Sequence, residues 1–281
     1  MIKNLFISII YLFYLLILMI KIIHQIWFNL GNGKSVPLKY KKYPESWKNY
    51  HPSWQYILWD EKMGDKLMKN DYNKYYNIYK NTKYPIMKID ILRYCILHKY
   101  GGLYADTDYK CLNNFDSYIE EHNTKNIFIN QSPKKIYNYF SVSVCNSLLI
   151  SRNKKDKFWI ILLDECKKRI KYSNNKYYVW YIVKTTGPTL LTDTIKYVKH
   201  NHTDIHNYIH ILPRDQYNIC NDCNKCSPSK TKKLYAVHDY SSYWNDKKWL
   251  FFRNFYSCLS FIDIILILIV FYIIYLLCFK N

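Results

Sequence analysis

The segment that most constrains this chain is Lys88–Asp108, KIDILRYCILHKYGGLYADTD. Ile86, Ile89, Leu92, Ile96 and Leu97 recur at helical spacing and predict a helix with a buried face. Pro85 suits its first turn, with Asn81 or Thr82 as the cap. Gly101-Gly102 stops it, as glycine does just past a helix end. A short strand then runs into Asp106-Thr107-Asp108.

Side chains two apart on a strand share a face. Two such carboxylates repel each other unless a cation lies beside them. Hard oxygen donors suit magnesium or manganese, and such an ion can neutralise the charge that builds on a departing diphosphate. A D-x-D alone is as well read as a solvated strand end; the helix and glycine pair in front of it favour the metal. Asp90 and Arg93 are three apart and share a helix face. They form either an exposed ion pair, worth about 0.2–0.5 kcal/mol, or a pocket-facing pair. In a pocket, Arg93 supplies fixed donors to phosphate or sugar oxygens, and Asp90 accepts from sugar hydroxyls.

Apolar runs predict further strands at Lys21–Phe28 (ending at Trp27), Trp54–Trp59, Asn126–Asn130, Asn146–Ile150, Ile209–Leu212 and Leu234–His238. Helical patterns cover Tyr43–Tyr50, Phe158–Ile170 and Thr189–Val198, with turns at Gly31-Asn32-Gly33 and Gly187-Pro188. The alternation predicts an α/β domain over residues 21–255, with a mostly parallel sheet covered on both faces. Leu5–Ile20 and Ile264–Phe279 carry no charge. They predict a membrane anchor over residues 1–20 and a transmembrane helix over residues 259–279. No small-residue cleavage site follows the first run, which favours an uncleaved anchor over a signal peptide. Lys3 and Lys280 place both tails on the cytosolic side and the domain in an ER- or Golgi-type lumen. The acceptor triplets at Asn130 and Asn201 agree with that placement.

The formal net charge is +20, but the lysines are scattered among Tyr and Asn and form no block. That argues against nucleic acid as partner. A basic surface still favours anionic lipid and negatively charged nucleotides. Cys220, Cys223 and Cys226 have the spacing of zinc ligands or of a disulfide. No matching second pair exists, which disfavours structural zinc.

The pieces together resemble the D-x-D sugar transferases, the family of yeast-type initiating α-1,6-mannosyltransferases and inositol-phosphoceramide mannosyltransferases. Large clostridial glucosylating toxins share the core. The matching segments are Ile23–Trp27, Ser46-Trp47 with Trp54–Asp60, Lys88–Arg93, Tyr100–Asp108, Asn146-Ser147, Thr186-Gly187-Pro188 and His238 to Trp244. They cover about Ile22–Asn245, and the Cys-rich loop is a departure from the pattern.

The resemblance implies a Rossmann-like GT-A fold and a metal-dependent, retaining hexosyl transfer. By similarity Trp27 stacks on the nucleobase, and Asp90 and Arg93 hold sugar and diphosphate. Tyr104 and Asp106 position the donor, and Asp108 binds Mn2+ or Mg2+. Asn146 lies near the sugar or the acceptor, Gly187 and Pro188 shape the acceptor side, and His238 and Trp244 close over the diphosphate, with His238 a further metal ligand. The lead expectation is mannose from GDP-mannose onto a membrane-associated acceptor, inositol phosphoceramide or another glycolipid, with any accessory regulatory subunit unspecified. The rivals are a UDP-glucose or UDP-galactose transferase acting on glycans, and an inactive membrane-tethered binding module. Intact Asp90, Arg93, Asp106 and Asp108 argue against the last.

Overall fold

The computed structural model describes residues 20–28, 36–132, 143–172, 178–219, 230–241 and 261–279. Its strands are β1 (Ile22–Ile26), β2 (Gln55–Trp59), β3 (Gly102–Ala105), β4 (Tyr109–Cys111), β5 (Ile127–Gln131), β6 (Val144–Ser151), β7 (Ile209–Leu212) and β8 (Ala236–His238). Its first helices are α1 (Leu38–Lys41), α2 (Tyr43–Tyr50), α3 (Glu61–Asp71), α4 (Asn73–Lys80), α5 (Pro85–Tyr100) and α6 (Asp116–Glu121). The later ones are α7 (Lys157–Tyr172), α8 (Tyr178–Thr185), α9 (Pro188–Asn201), α10 (Thr203–Asn207), α11 (Arg214–Tyr217) and α12 (Phe261–Phe279).

The glycine pair explains how α5 delivers β3 into the sheet. Gly101 and Gly102 both have positive φ, +66° and +88°, a region that L side chains rarely enter. A Cβ on Gly102 would also lie 2.4 Å from the Ile22 carbonyl oxygen. The chain therefore turns sharply and lays β3 directly against β1, in parallel. His24 on β1 locks that junction. Its Nδ1 accepts from the Trp59 indole at 3.1 Å, which leaves Nε2–H to donate to the Gly101 carbonyl at 3.0 Å. Burial holds this imidazole neutral, with a pKa of about 4.

The sheet has six strands in the order β2-β1-β3-β6-β5-β7. It is mostly parallel, as expected, but mixed, with β6 alone reversed among its six strands. β1 pairs in parallel with β2 and β3, and β5 with β7, but β6 runs antiparallel to both β3 and β5. An apolar strand buried on both faces reads the same in either direction, so periodicity carried no sign of this reversal. Alternate residues feed two cores. Tyr104, Ile127, Ile129 and Leu149 pack with α5 and α7 on one face. Leu103, Ala105, Phe128, Leu148 and Ile150 pack with Trp47, Phe115, Tyr217 and Tyr235 on the other.

α5 lies between the sheet and α7 and buries its whole central stretch, from Ile89 to Leu97. A helix apolar all round is a buried one, so it has more than the single buried face the pattern suggested. Its cap also differs from expectation. Tyr84 precedes Pro85, while the Thr82 hydroxyl donates back to the Tyr79 carbonyl.

The expected flanking membrane spans are not supported. The first anchor lies outside the described residues. α12 forms as a helix and exposes Leu268, Phe271 and Tyr272. Among the described residues, however, no helix is long and apolar enough to cross a membrane; the side chains described without a break in α12 run only from 265 to 276.

Candidate active site

Arg93 organises one side of the site. It is 2% exposed, and an isolated charge at such depth would cost several kcal/mol. Its guanidinium offers five N–H donors. Nη1 meets the Asn146 carbonyl at 2.7 Å and the Asp106 carboxylate at 3.1 Å. Nη2 meets Asp90 Oδ1 at 3.0 Å, and Nε reaches the Ile89 carbonyl at 3.5 Å. Two of these contacts are hydrogen bonds to backbone carbonyls and two are ion pairs to carboxylates. The guanidinium also stands 4.7 Å from the centre of the Tyr104 ring, and Tyr104 donates its hydroxyl to Asp106 at 2.6 Å. Burial opposes the charge on Arg93, but Asp106, Tyr104 and Asp90 more than offset it. Burial pushes the Asp90 and Asp106 carboxyls above their usual range, and Arg93 counters in both.

Asp108 is held from the far end of the chain. β3 ends at Ala105, and Thr107-Asp108 form a turn before β4. The two carboxylates thus converge through a turn and not through the pleat of one strand, as the spacing had predicted. β4 pairs with β8, which sets Tyr109 opposite His238, their rings stacked at 4.4 Å. His238 Nε2 is 3.1 Å from Asp108 Oδ1. Tyr240 takes a left-handed φ of +49°. Ser241 beside it donates both its amide, at 2.8 Å, and its hydroxyl, at 2.7 Å, to Asp108 Oδ2. Burial alone would raise the Asp108 pKa; the charge and hydrogen bond of His238 and the two donors of Ser241 reverse it, and the carboxyl sits well below the usual carboxylate range.

Asp106, Asp108 and His238 place one ligand atom each within 4.8 Å of one another. Two carboxylates and an imidazole make a donor set that fits a hard divalent cation. They open onto a cleft that is also lined by Trp27, Asp90, Arg93, Asn146 and Pro188. Asn146 donates its amide to Asp90 at 2.8 Å and to the Tyr94 hydroxyl at 3.1 Å. Of the residues expected from sequence, only Trp244 lies outside the described ones, as do Cys220, Cys223 and Cys226.

Sequence reasoning assigned no role to Ser241, Tyr94 or Thr186. Thr186 had a usable signal, since it opens the Thr-Gly-Pro segment that turns between α8 and α9. Ser241 had none, because nothing local couples it to a carboxylate 133 positions earlier.

Residues 37–125, which include the Asp90, Arg93, Asp106 and Asp108 constellation, match the model of the glycosyltransferase sugar-binding region containing a DXD motif. Over this region the chain is similar to the DXD-motif glycosyltransferases. A mannosyl phosphorylinositol ceramide synthase of Saccharomyces cerevisiae is 26% identical over 205 residues, covering 72% of this chain and 49% of the relative. A second synthase of that name in the same yeast is 35% identical over 96 residues, 34% of this chain and 24% of the relative. An uncharacterized glycosyltransferase of Acanthamoeba polyphaga mimivirus is 28% identical over 232 residues, covering 79% of this chain and 82% of that protein. The chain thus spans about half the length, or less, of the yeast glycosyltransferases it matches.

Proposed function

We propose that this DXD glycosyltransferase is a metal-dependent, retaining hexosyltransferase of GT-A type, moving mannose from GDP-mannose onto a membrane-associated acceptor such as inositol phosphoceramide or another glycolipid. The observation that carries the reading is the convergence of Asp106, Asp108 and His238 on the cleft that holds the Asp90–Arg93 pair. The choice of mannose and of a glycolipid rests on the printed names of the yeast relatives.

In this reading Trp27 and Phe28 wall the nucleobase end of the cleft. Asp90 accepts a sugar hydroxyl. Arg93 is pinned by two backbone carbonyls and two carboxylates, so its main contribution is a fixed positive field under the anomeric region. Asp106, Asp108 and His238 would hold Mn2+ or Mg2+, which supplies charge neutralisation at the diphosphate as the glycosidic bond breaks. Ile86, Ile89, Ile182 and Val183 line the cleft with apolar surface, keeping water from the sugar while the acceptor hydroxyl enters beside Pro188. The bond from C1 to the diphosphate oxygen breaks, the bond from C1 to the acceptor oxygen forms on the same face, and the acceptor proton passes to the leaving phosphate.

The test is a donor-hydrolysis panel of GDP-mannose, UDP-glucose and UDP-galactose, with and without a lipid acceptor. Turnover of GDP-mannose, stimulated by inositol phosphoceramide, is expected. Preference for a UDP-sugar would move the chain to the rival donor class. Nucleotide binding with no turnover of any donor would make it a binding module.

A further inference from the structure

Asp90 accepts more bonds than a substrate-facing carboxylate would if left to itself. Oδ1 takes the Asn146 amide at 2.8 Å and Arg93 Nη2 at 3.0 Å. Oδ2 takes the Thr186 hydroxyl at 2.8 Å. That hydroxyl has one proton, and the competing Ile182 carbonyl is farther away at 3.3 Å. A carboxylate has about four acceptor positions, two on each oxygen; Oδ1 takes Asn146 and faces the Arg93 cation, and Thr186 leaves one position open on Oδ2.

The same partners close a ring. The Asn146 amide also donates to the Tyr94 hydroxyl, and Tyr94 donates to the Thr186 carbonyl at 2.7 Å. Thr186 is fully buried in the turn between α8 and α9. Ile182 and Val183 on one side of that turn, and Pro188 on the other, line the cleft.

We propose that Thr186 is a positioning residue that aims the open lone pair on Asp90 Oδ2 at a single sugar hydroxyl, and so sets which hexose the site accepts. The proposal rests on the hexosyltransferase reading for its substrate, but its geometry stands apart from it. Valine keeps the shape of threonine and removes the proton. Oδ2 then has two open directions, and epimeric sugars can each find one. Tyr94 still holds the residue 186 carbonyl, so the turn itself stays in place.

Wild type, Thr186→Val and Thr186→Ser are compared on two donors that share a nucleotide and differ at one hydroxyl. These are GDP-mannose and GDP-glucose, or UDP-glucose and UDP-galactose if the wild type uses UDP-sugars. Thr186→Val is expected to lower the ratio of the two kcat/KM values about tenfold, the scale of a hydrogen bond to a charged group. Affinity for the nucleoside diphosphate should stay within about twofold. Thr186→Ser should keep the wild-type ratio. An unchanged ratio in Thr186→Val, or a ratio lost equally in Thr186→Ser, overturns the proposal. Should Thr186→Val not fold, Thr186→Ala takes its place.

A second arm separates this from failure of the functional reading. Amide hydrogen exchange over residues 182–191 is compared in Thr186→Val, Asp90→Asn and the double variant. Non-additive loss of protection supports the Asp90–Thr186 link even if the wild type turns over no nucleotide sugar. Additive loss, or none, refutes it.

Discussion

Asp106 and Asp108 stand two residues apart yet are held by opposite ends of the chain. Asp106 is fixed by Arg93 and Tyr104, which come from α5 and β3 just before it. Asp108 is fixed by His238 and Ser241, which arrive only when β8 pairs with β4. The first carboxylate is half-buried and tied to the buried Arg93, within the scaffold. The second belongs to a closure whose strands β4 and β8 bury Tyr109, Cys111 and Ala236 in the second core. The Arg93 side is therefore a local scaffold, whereas the Asp108 side is a long-range closure.

Substitutions on the two sides should separate stability from activity. Arg93→Ala strands the buried Asp90 and the half-buried Asp106 without their cation, and should cost about 3–5 kcal/mol in denaturant unfolding, with loss of turnover. Asp108→Ala should lower kcat/KM about 10²–10³-fold, the scale of removing one group that stabilises developing charge. Its stability should fall less than that of Arg93→Ala, by about 1–3 kcal/mol as the His238 and Ser241 donors lose their acceptor. If the two variants were equally unstable, the division between scaffold and closure would fail.

Acid should attack the scaffold side too. His24 is buried and neutral, with a pKa of about 4 against an ordinary 6.5, so below about pH 6.5 the unfolded chain binds the proton that the folded chain refuses. Its stability contribution is complete above pH 6.5 and falls by up to about 3 kcal/mol as the pH drops toward 4. Unfolding curves across that window should show the decline, and His24→Gln should lessen it, with His51 and His210, both also held near 4, accounting for part of the rest. The smallest effect is expected for His238→Ala, about ten- to a hundredfold in metal affinity, with the core unaffected.

The scaffold side was legible in the sequence for the same physical reason that it is stable. Asp90, Arg93, the glycine pair and Asp106 lie within one helix–turn–strand unit, and local spacing reports their geometry. The strand positions followed equally well, because apolar runs mark burial. The direction of β6 did not, since its residues are buried on both faces. The closure was legible only as a resemblance at His238. Ser241 reaches Asp108 through the left-handed Tyr240, and no periodicity encodes that contact. The Thr186 bond to Asp90 likewise depends on packing α8 and α9 against α5, a long-range outcome that spacing does not carry.

The central claim is that Asp106, Asp108 and His238 form a metal site for glycosyl transfer. Calorimetric titration of Mn2+ into the protein with GDP present tests it most directly. One bound ion per chain is predicted, lost in Asp108→Ala and weakened in His238→Ala. Manganese binding that both variants leave untouched would contradict the account.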